Sequence, residues 1–227
     1  MFGKSNPNNN HVVYISGPHG SGKSTLVSRL KEISPELQVQ EQLAHLESLQ
    51  EMTERAIWRT ALHAIEHRMN LTKAERCPDQ TIIGDRCYFD DLVYWRAFLR
   101  LGWITQRQLH NYTRLQDETY RLMDTPKPTR IVLLCPPYEW NLARVKQRWY
   151  EGEHVKWNED NFTYLWHINA EFHKAAAQAG NGMLVVKETY PDRRVAQILQ
   201  WVNGHTQSGH SLVEAGRRTY RNLGGSD

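Results

Sequence analysis

The sequence has few cysteines, no long apolar run and little excess charge. Its three cysteines are an odd number without metal-ligand spacing, which argues against a disulfide framework or a zinc site and favours a reducing, cytoplasmic compartment. No apolar run approaches the ~20 residues of a membrane-spanning helix. The formal net charge of +3 does not by itself require a nucleic-acid partner. We therefore expect neither a membrane nor a specific nucleic acid as partner.

The length and composition predict one main domain with short flanking segments. A hydrophobic share of 40% over 227 residues is enough for a substantial core. Residues 1–10 are polar and lack a signal-peptide centre, so we expect a disordered leader. Residues 11–202 carry the regular patterns of the domain. Residues 203–227 are rich in glycine, serine and polar side chains, which predicts a disordered tail or a surface helix.

Strand patterns alternate with helical patterns along the domain. The strand patterns cover residues 12–16, 37–40, 81–84, 130–135 and 183–187. The first helical pattern begins after Gly22, and the others cover residues 43–76, 90–101, 106–123, 138–149, 161–179 and 192–202. This alternation predicts an α/β fold with a parallel sheet that helices cover on both faces.

The stretch GPHGSGKS at residues 17–24 fits the phosphate-binding pattern G-x-x-x-x-G-K-[ST]. It lies where that pattern must lie, between the first strand and a helical spacing. Glycines let successive N–H groups face anionic oxygens, and the helix N-terminus adds partial positive charge. Lys23 can reach the β- and γ-phosphates, and Ser24 can bind Mg²⁺. The predicted ATP-binding residues are Gly17, Pro18, His19, Gly20, Ser21, Gly22, Lys23, Ser24 and Thr25.

Polar side chains follow the second and third strands at the sheet edge where ligands bind. Asp85 can organise Mg²⁺ and Arg86 can bind phosphate, although the two can also form a salt bridge that caps the next helix. We expect Asp90 and Asp91 to cap or line that helix. Glu41 can accept a proton from an attacking hydroxyl, or it can be an ordinary helix-start glutamate.

Two further segments contain candidate ligand-binding residues. Arg144 and Arg148 lie four residues apart before a polar, glycine-containing stretch, which predicts a lid over about 144–160 that brings charge to a triphosphate. On the long helix, Trp58 with His63 can contact a nucleobase and Arg68 a phosphate. The alternatives are that Trp58 and Ile65 are core residues and that the histidines are partly exposed.

Together, GPHGSGKST, Glu41, the pair Asp85-Arg86 and the paired arginines resemble the thymidylate kinase and deoxynucleoside kinase superfamily of P-loop kinases, over residues 12–202. Deoxynucleoside kinases usually follow the catalytic glutamate with proline and carry E-R-S at the third strand, where this chain has Gln42 and D-R-C. Thymidylate kinases carry D-R-Y and an arginine on the preceding helix, which D-R-C and IEHR resemble, but their E-P-G-G loop is absent. The resemblance implies a P-loop NTPase fold with a five-stranded parallel sheet, and members of this superfamily often form a homodimer through the long helices.

The expected function is an ATP-dependent kinase that uses Mg²⁺ and a small-molecule nucleoside as acceptor. The predicted catalytic residues are Lys23, Glu41, Asp85, Arg86, Arg144 and Arg148. Glu41 favours a hydroxyl acceptor, which must lose a proton, whereas Arg68 would serve an anionic monophosphate acceptor as in thymidylate kinase. A kinase of another small metabolite and a regulatory P-loop NTPase remain open.

Overall fold

The computed structural model describes residues 12–34, 37–40, 51–153 and 157–207. The predicted leader, Glu41 and the tail beyond residue 207 lie outside the described residues. The strands are β1 (Val12–Ser16), β2 (Gln38–Gln40), β3 (Ile82–Asp85), β4 (Ile131–Leu134) and β5 (Met183–Val186). The helices are α1 (Lys23–Ile33), α2 (Met52–Arg76), α3 (Tyr88–Arg100), α4 (Gln106–Leu122), α5 (Tyr138–Tyr150), α6 (Phe162–Ala177) and α7 (Pro191–Gln207).

The five strands form one parallel sheet in the order β2-β3-β1-β4-β5. The strand β1 lies at the centre, and Ile15 is in register with Asp85 of β3 on one side and with Val132 of β4 on the other. All strands therefore present their carboxyl ends at one edge, with the loop after β1 in the middle of that edge. The predicted five-stranded parallel sheet is confirmed.

Alternate residues of β1 belong to two different hydrophobic cores, one on each face of the sheet. Val12 and Tyr14 of β1 belong to a core that includes residues of α2, α3 and α6. Val13 and Ile15 belong to a second core that includes residues of α1 and α7. Since successive side chains of a strand point to opposite faces, the two cores lie on opposite faces of the sheet. Each core includes residues of helices, so helices cover both faces, as predicted.

The buried face of helix α2 differs from the face that the spacing of its apolar residues predicts. Trp58 is 55% exposed and Ile65 is 42% exposed, so the interpretation of these two residues as core is wrong. Its buried residues include His63, His67 and Asn70. These polar side chains face other elements, because Asn70 donates to the Tyr14 hydroxyl and His63 contacts Asp91 of α3.

The last helix is longer than its pattern predicts. The helix α7 continues to Gln207, five residues beyond the predicted domain end at 202, so the first part of the predicted tail is helical. In the described part of the chain, no helix is long and apolar enough to cross a membrane.

Candidate active site

A cavity of about 370 Å³ opens at the carboxyl edge of the sheet. Four parts of the chain line it: the P-loop and the start of α1, one face of α2, the end of β3 with α3, and the region of α5 and α6. Its lining residues from the P-loop are 19–25, and those from α2 include Met52, Arg55, Arg59 and His63. The third and fourth parts contribute Asp85, Arg86, Asp91, Tyr94, Trp95, Phe98, Arg144, Arg148, Trp157, Glu159 and Tyr164.

The P-loop needs glycine at two positions where backbone geometry excludes a larger residue. Gly20 has a φ of +73°, and a Cβ atom there would lie 2.3 Å from the carbonyl oxygen of Asn141. Gly22 has a φ of 87° and precedes the first turn of α1 as its left-handed N-cap. The loop thus leads directly into a helix N-terminus, where N–H groups and the helix dipole attract phosphate.

The ammonium group of Lys23 lies against the P-loop backbone. Its Nζ donates to the carbonyl oxygens of Gly17 at 2.7 Å and Pro18 at 2.9 Å. Ser24 and Thr25 follow it along the cavity wall, and both side chains are exposed. The motif therefore brings one cation and two hydroxyl groups to the same wall.

The pair Asp85-Arg86 lies at the carboxyl end of β3 and lines the cavity, with Asp85 as the last residue of the strand. Arg86 adopts a φ of 67°, in the left-handed region that is rare for a residue with a side chain. Its guanidinium donates to Tyr94 at 3.3 Å and Asp90 at 3.4 Å, so it turns toward α3. Burial alone would lower the pKa of Arg86, but Tyr94, Asp90 and Asp85 raise it above the usual value, so the guanidinium is charged.

The next acidic residues have separate tasks. Asp90 caps α3, because its side chain accepts from the backbone N–H of Cys87 at 3.2 Å. Asp91 lies on the cavity wall and accepts from Arg59 at 2.8 Å and from Nδ1 of His63 at 2.7 Å. Burial alone would raise the pKa of Asp91, but His63 and Arg59 lower it, so the carboxylate is ionised. His63 is thus brought to the cavity through this carboxylate.

The two predicted lid arginines reach different parts of the site. Arg144 approaches Oγ1 of Thr25 at 3.4 Å and stacks on Trp140. Arg148 donates to Oε1 of Glu159 at 2.7 Å, and the same oxygen lies 2.9 Å from Nδ1 of His19. The region of α5 and α6 therefore contacts the P-loop directly through Arg144 and through Glu159, which also binds Arg148.

Two predicted site residues lie apart from the others. Trp58 and Arg68 are exposed on α2 and do not line the cavity. Glu41 cannot be placed because it lies outside the described residues. The structure therefore brings together the predicted residues of the P-loop, β3 and α5 with His63, but not the proposed stacking and phosphate residues of the long helix.

Sequence reasoning missed Arg59, Asp91 and Glu159. One signal was available for Arg59, which precedes His63 by one helical turn and therefore shares its face. Asp91 was missed because it directly follows Asp90, and both were interpreted as residues that cap or line the next helix. Nothing local distinguishes Glu159, which becomes part of the site through contacts with distant segments.

Comparison with known proteins gives a family and a set of related folds. Residues 13–198 match the deoxynucleoside kinase family. No protein with a curated description matches the chain. The solved structure of deoxyadenosine kinase from M. mycoides with bound dATP is similar with a TM-score of 0.62 and 15% identity, over 84% of this chain and 98% of that one. The structure of that enzyme with bound dCTP gives a TM-score of 0.56 and 16% identity, over 85% and 99% of the chains.

Proposed function

The chain belongs to the deoxynucleoside kinase family, and from this membership we propose how its residues transfer phosphate to a nucleoside. The protein is an ATP-dependent phosphotransferase that phosphorylates nucleosides. The observation that supports our assignment of roles is the cavity itself, which joins the P-loop to a chamber lined by aromatic and charged side chains of α2 and α3. We assign the triphosphate to the P-loop end and the acceptor to the chamber.

Transfer of the γ-phosphoryl group depends on positioning and on cations that stabilise its developing charge. Lys23 supplies one such cation from within the P-loop. Arg86, Arg144 and Arg148 line the same cavity and approach from β3 and α5. We propose that these four residues surround the transferred phosphate, with the backbone of residues 17–22 on its donor side.

Ser24 and Asp85 fit a magnesium ion. Oδ1 of Asp85 is buried and has no hydrogen-bond partner among the described residues, although a carboxylate normally has one. The hydroxyl of Ser24 lines the same cavity. Across the described ranges, no group of three or more His, Cys, Asp or Glu side chains converges. Ser24 and Asp85 would hold a Mg²⁺ ion, which would supply positive charge that offsets the charge of the phosphates.

The acceptor chamber has features that suit a nucleoside. Its walls include the aromatic side chains of Tyr94, Trp95 and Phe98, on which a base or sugar can pack. Arg59 and Asp91 add a guanidinium and a buried carboxylate, which provide donors and an acceptor for polar base atoms. We propose that this pair orients the base, while Arg86 stabilises the reacting sugar hydroxyl.

A hydroxyl acceptor is favoured over a monophosphate. Arg68, the arginine proposed to bind a monophosphate acceptor, is exposed and lies outside the cavity lining. Glu41 follows β2, whose carboxyl end belongs to the same sheet edge as Asp85. We propose that Glu41 accepts the proton of the attacking hydroxyl.

Steady-state kinetics of Glu41→Gln and Arg68→Ala test this choice. With ATP and a mixture of the four natural deoxynucleosides, Glu41→Gln should lower kcat by roughly a hundred- to ten-thousandfold, the range for loss of a general base. Arg68→Ala is the matched control and should retain wild-type kcat and KM. A mild Glu41→Gln together with a severe Arg68→Ala on thymidine monophosphate would instead establish a monophosphate acceptor.

Two further proposals concern the protein as a whole. The cysteines of the described residues are free, which supports a reducing cytoplasmic location. The resemblance to the superfamily and the exposed apolar side chains of the long helix α2 support a homodimer. Light scattering at micromolar concentration tests the assembly.

A further inference from the structure

Glu159 is a buried carboxylate that joins the lid to the P-loop. It lies in the turn before α6 and its side chain is 2% exposed. Its Oε1 accepts from Arg148 at 2.7 Å and lies 2.9 Å from Nδ1 of His19. Residues 19 and 159 are separated by 140 positions in the chain, so this contact links two distant parts of the site.

The hydrogen bonds on His19 have a definite direction. Its Nε2 lies 3.1 Å from the hydroxyl of Tyr164, which is completely buried. Burial lowers the pKa of His19 to about 4, so the ring is neutral at pH 7. Since the carboxylate of Glu159 can only accept, Nδ1 of His19 carries the proton and Nε2 accepts from Tyr164. The result is one continuous chain of hydrogen bonds from Tyr164 through His19 and Glu159 to Arg148.

This chain of hydrogen bonds holds the guanidinium of Arg148 against a buried carboxylate. The side chain of Arg148 is 23% exposed and lines the cavity, whereas the carboxylate that its guanidinium binds is 2% exposed. A guanidinium has five N–H donors, so the bond to Glu159 leaves others for phosphate oxygens. A charge-assisted bond to a rigid carboxylate limits the rotamers of a long side chain, which is the purpose of a supporting shell around a reactive group.

We propose that Glu159 is a positioning residue, which fixes the guanidinium of Arg148 relative to the transferred phosphate while His19 fixes Glu159. The inference rests on the proposed role of Arg148 in transfer. The P-loop then has a second role, because His19 helps to align Arg148 of the lid through Glu159. Glu159 itself does not contact the substrate in this account.

The test is a double-mutant cycle on the full chain, measured with ATP and an equimolar mixture of the four natural deoxynucleosides. Glu159→Gln retains an acceptor for His19 and removes the nearer of two carboxylate charges beside Arg148, at 2.7 Å, whereas the more exposed Glu153 lies 3.9 Å away. It should lower kcat roughly ten- to a hundredfold, the cost of a reactive group misplaced by about 1 Å. The KM for ATP should change by less than about threefold, because ground-state binding is largely retained. The control Glu151→Gln alters an exposed lid carboxylate, which accepts from Gln147, and should keep wild-type kcat.

The decisive result is the effect of Glu159→Gln in an Arg148→Ala background. If Glu159 acts through Arg148, the second substitution should leave the already reduced kcat unchanged. His19→Leu should give a smaller loss than Glu159→Gln, and this loss should also disappear without Arg148. If Glu159→Gln lowers kcat by the same factor in the Arg148→Ala background, the positioning role of Glu159 is overturned, while the proposed function stands.

Two other outcomes also have defined meanings. If Arg148→Ala alone retains wild-type kcat, the proposed role of Arg148 is wrong and the inference that depends on it is overturned as well. If Glu159→Gln lowers the KM for ATP and raises kcat, the carboxylate competes with phosphate for Arg148, which contradicts positioning.

Discussion

The buried histidine His67 should make the fold sensitive to mild acid. Its ring lies in the core on α2, where Nδ1 accepts from the Tyr14 hydroxyl at 2.9 Å and Asn70 donates to the same hydroxyl at 3.0 Å. Burial lowers the pKa of His67 to about 4, although a hydrogen bond to the backbone of Pro126 opposes the shift. His19, in the active site, has its pKa lowered to about 4 by burial as well.

The direction in which stability changes with pH follows from proton linkage. An unfolded histidine with a pKa of about 6.5 binds a proton more readily than these two do in the folded state. The free energy of unfolding is therefore unaffected by them above pH 6.5 and falls as the pH decreases toward 4. Between pH 7.5 and pH 5, a shift from about 6.5 to about 4 costs about 2 kcal/mol per histidine. Two such residues would remove a large fraction of the 5–15 kcal/mol that is typical of a folded domain.

Urea denaturation at pH 7.5 and pH 5 measures this loss through tryptophan fluorescence. His67→Asn keeps a polar group toward Tyr14 and removes the titrating ring, so the decrease in stability between the two pH values should shrink by about 2 kcal/mol. His110→Asn removes an exposed histidine of α4 and should retain the wild-type decrease. If His67→Asn folds and shows the full wild-type decrease, the reasoning about its buried neutral ring is refuted.

Two further predictions concern the triphosphate end of the site. Lys23→Ala should lower turnover on the order of a hundredfold or more, because the ammonium that lies in the P-loop no longer offsets phosphate charge, while the exposed Lys31→Ala on the same helix should have no effect. Wild-type turnover in Lys23→Ala would contradict the assignment. Hydrogen exchange over residues 144–160 should slow when a non-hydrolysable ATP analogue binds, because Arg144 and Arg148 then gain phosphate contacts. Equal exchange with and without the analogue would argue against a lid.

The parts of the site that the sequence predicts are those made by contiguous residues. The pattern GPHGSGKS places a strand, a turn and a helix start within one short stretch, so its geometry follows from local rules. Asp85-Arg86 is predicted for a similar reason, since a parallel sheet brings the carboxyl ends of its strands to one edge. The five strands and the alternation with helices follow from periodicity in the same way.

The remaining features depend on which segments meet. Arg59 and Asp91 lie 32 positions apart, and His19 and Glu159 lie 140 apart, so no local pattern pairs them. On α2, periodicity predicts a helix but not the face that is buried. The buried face is polar because His63 contacts a cavity carboxylate and His67 and Asn70 satisfy Tyr14, and Trp58 and Ile65 consequently face outward.

The identity of the phosphorylated product tests the central claim most directly. The full-length protein is incubated with Mg²⁺ and ATP labelled at the γ-phosphate, and separately with each of the four natural deoxynucleosides or with thymidine monophosphate, and the labelled products are separated by charge. The account predicts that label enters a deoxynucleoside monophosphate and that Glu41→Gln abolishes most of this transfer. Label that enters only thymidine diphosphate, or only inorganic phosphate whatever acceptor is supplied, would contradict it.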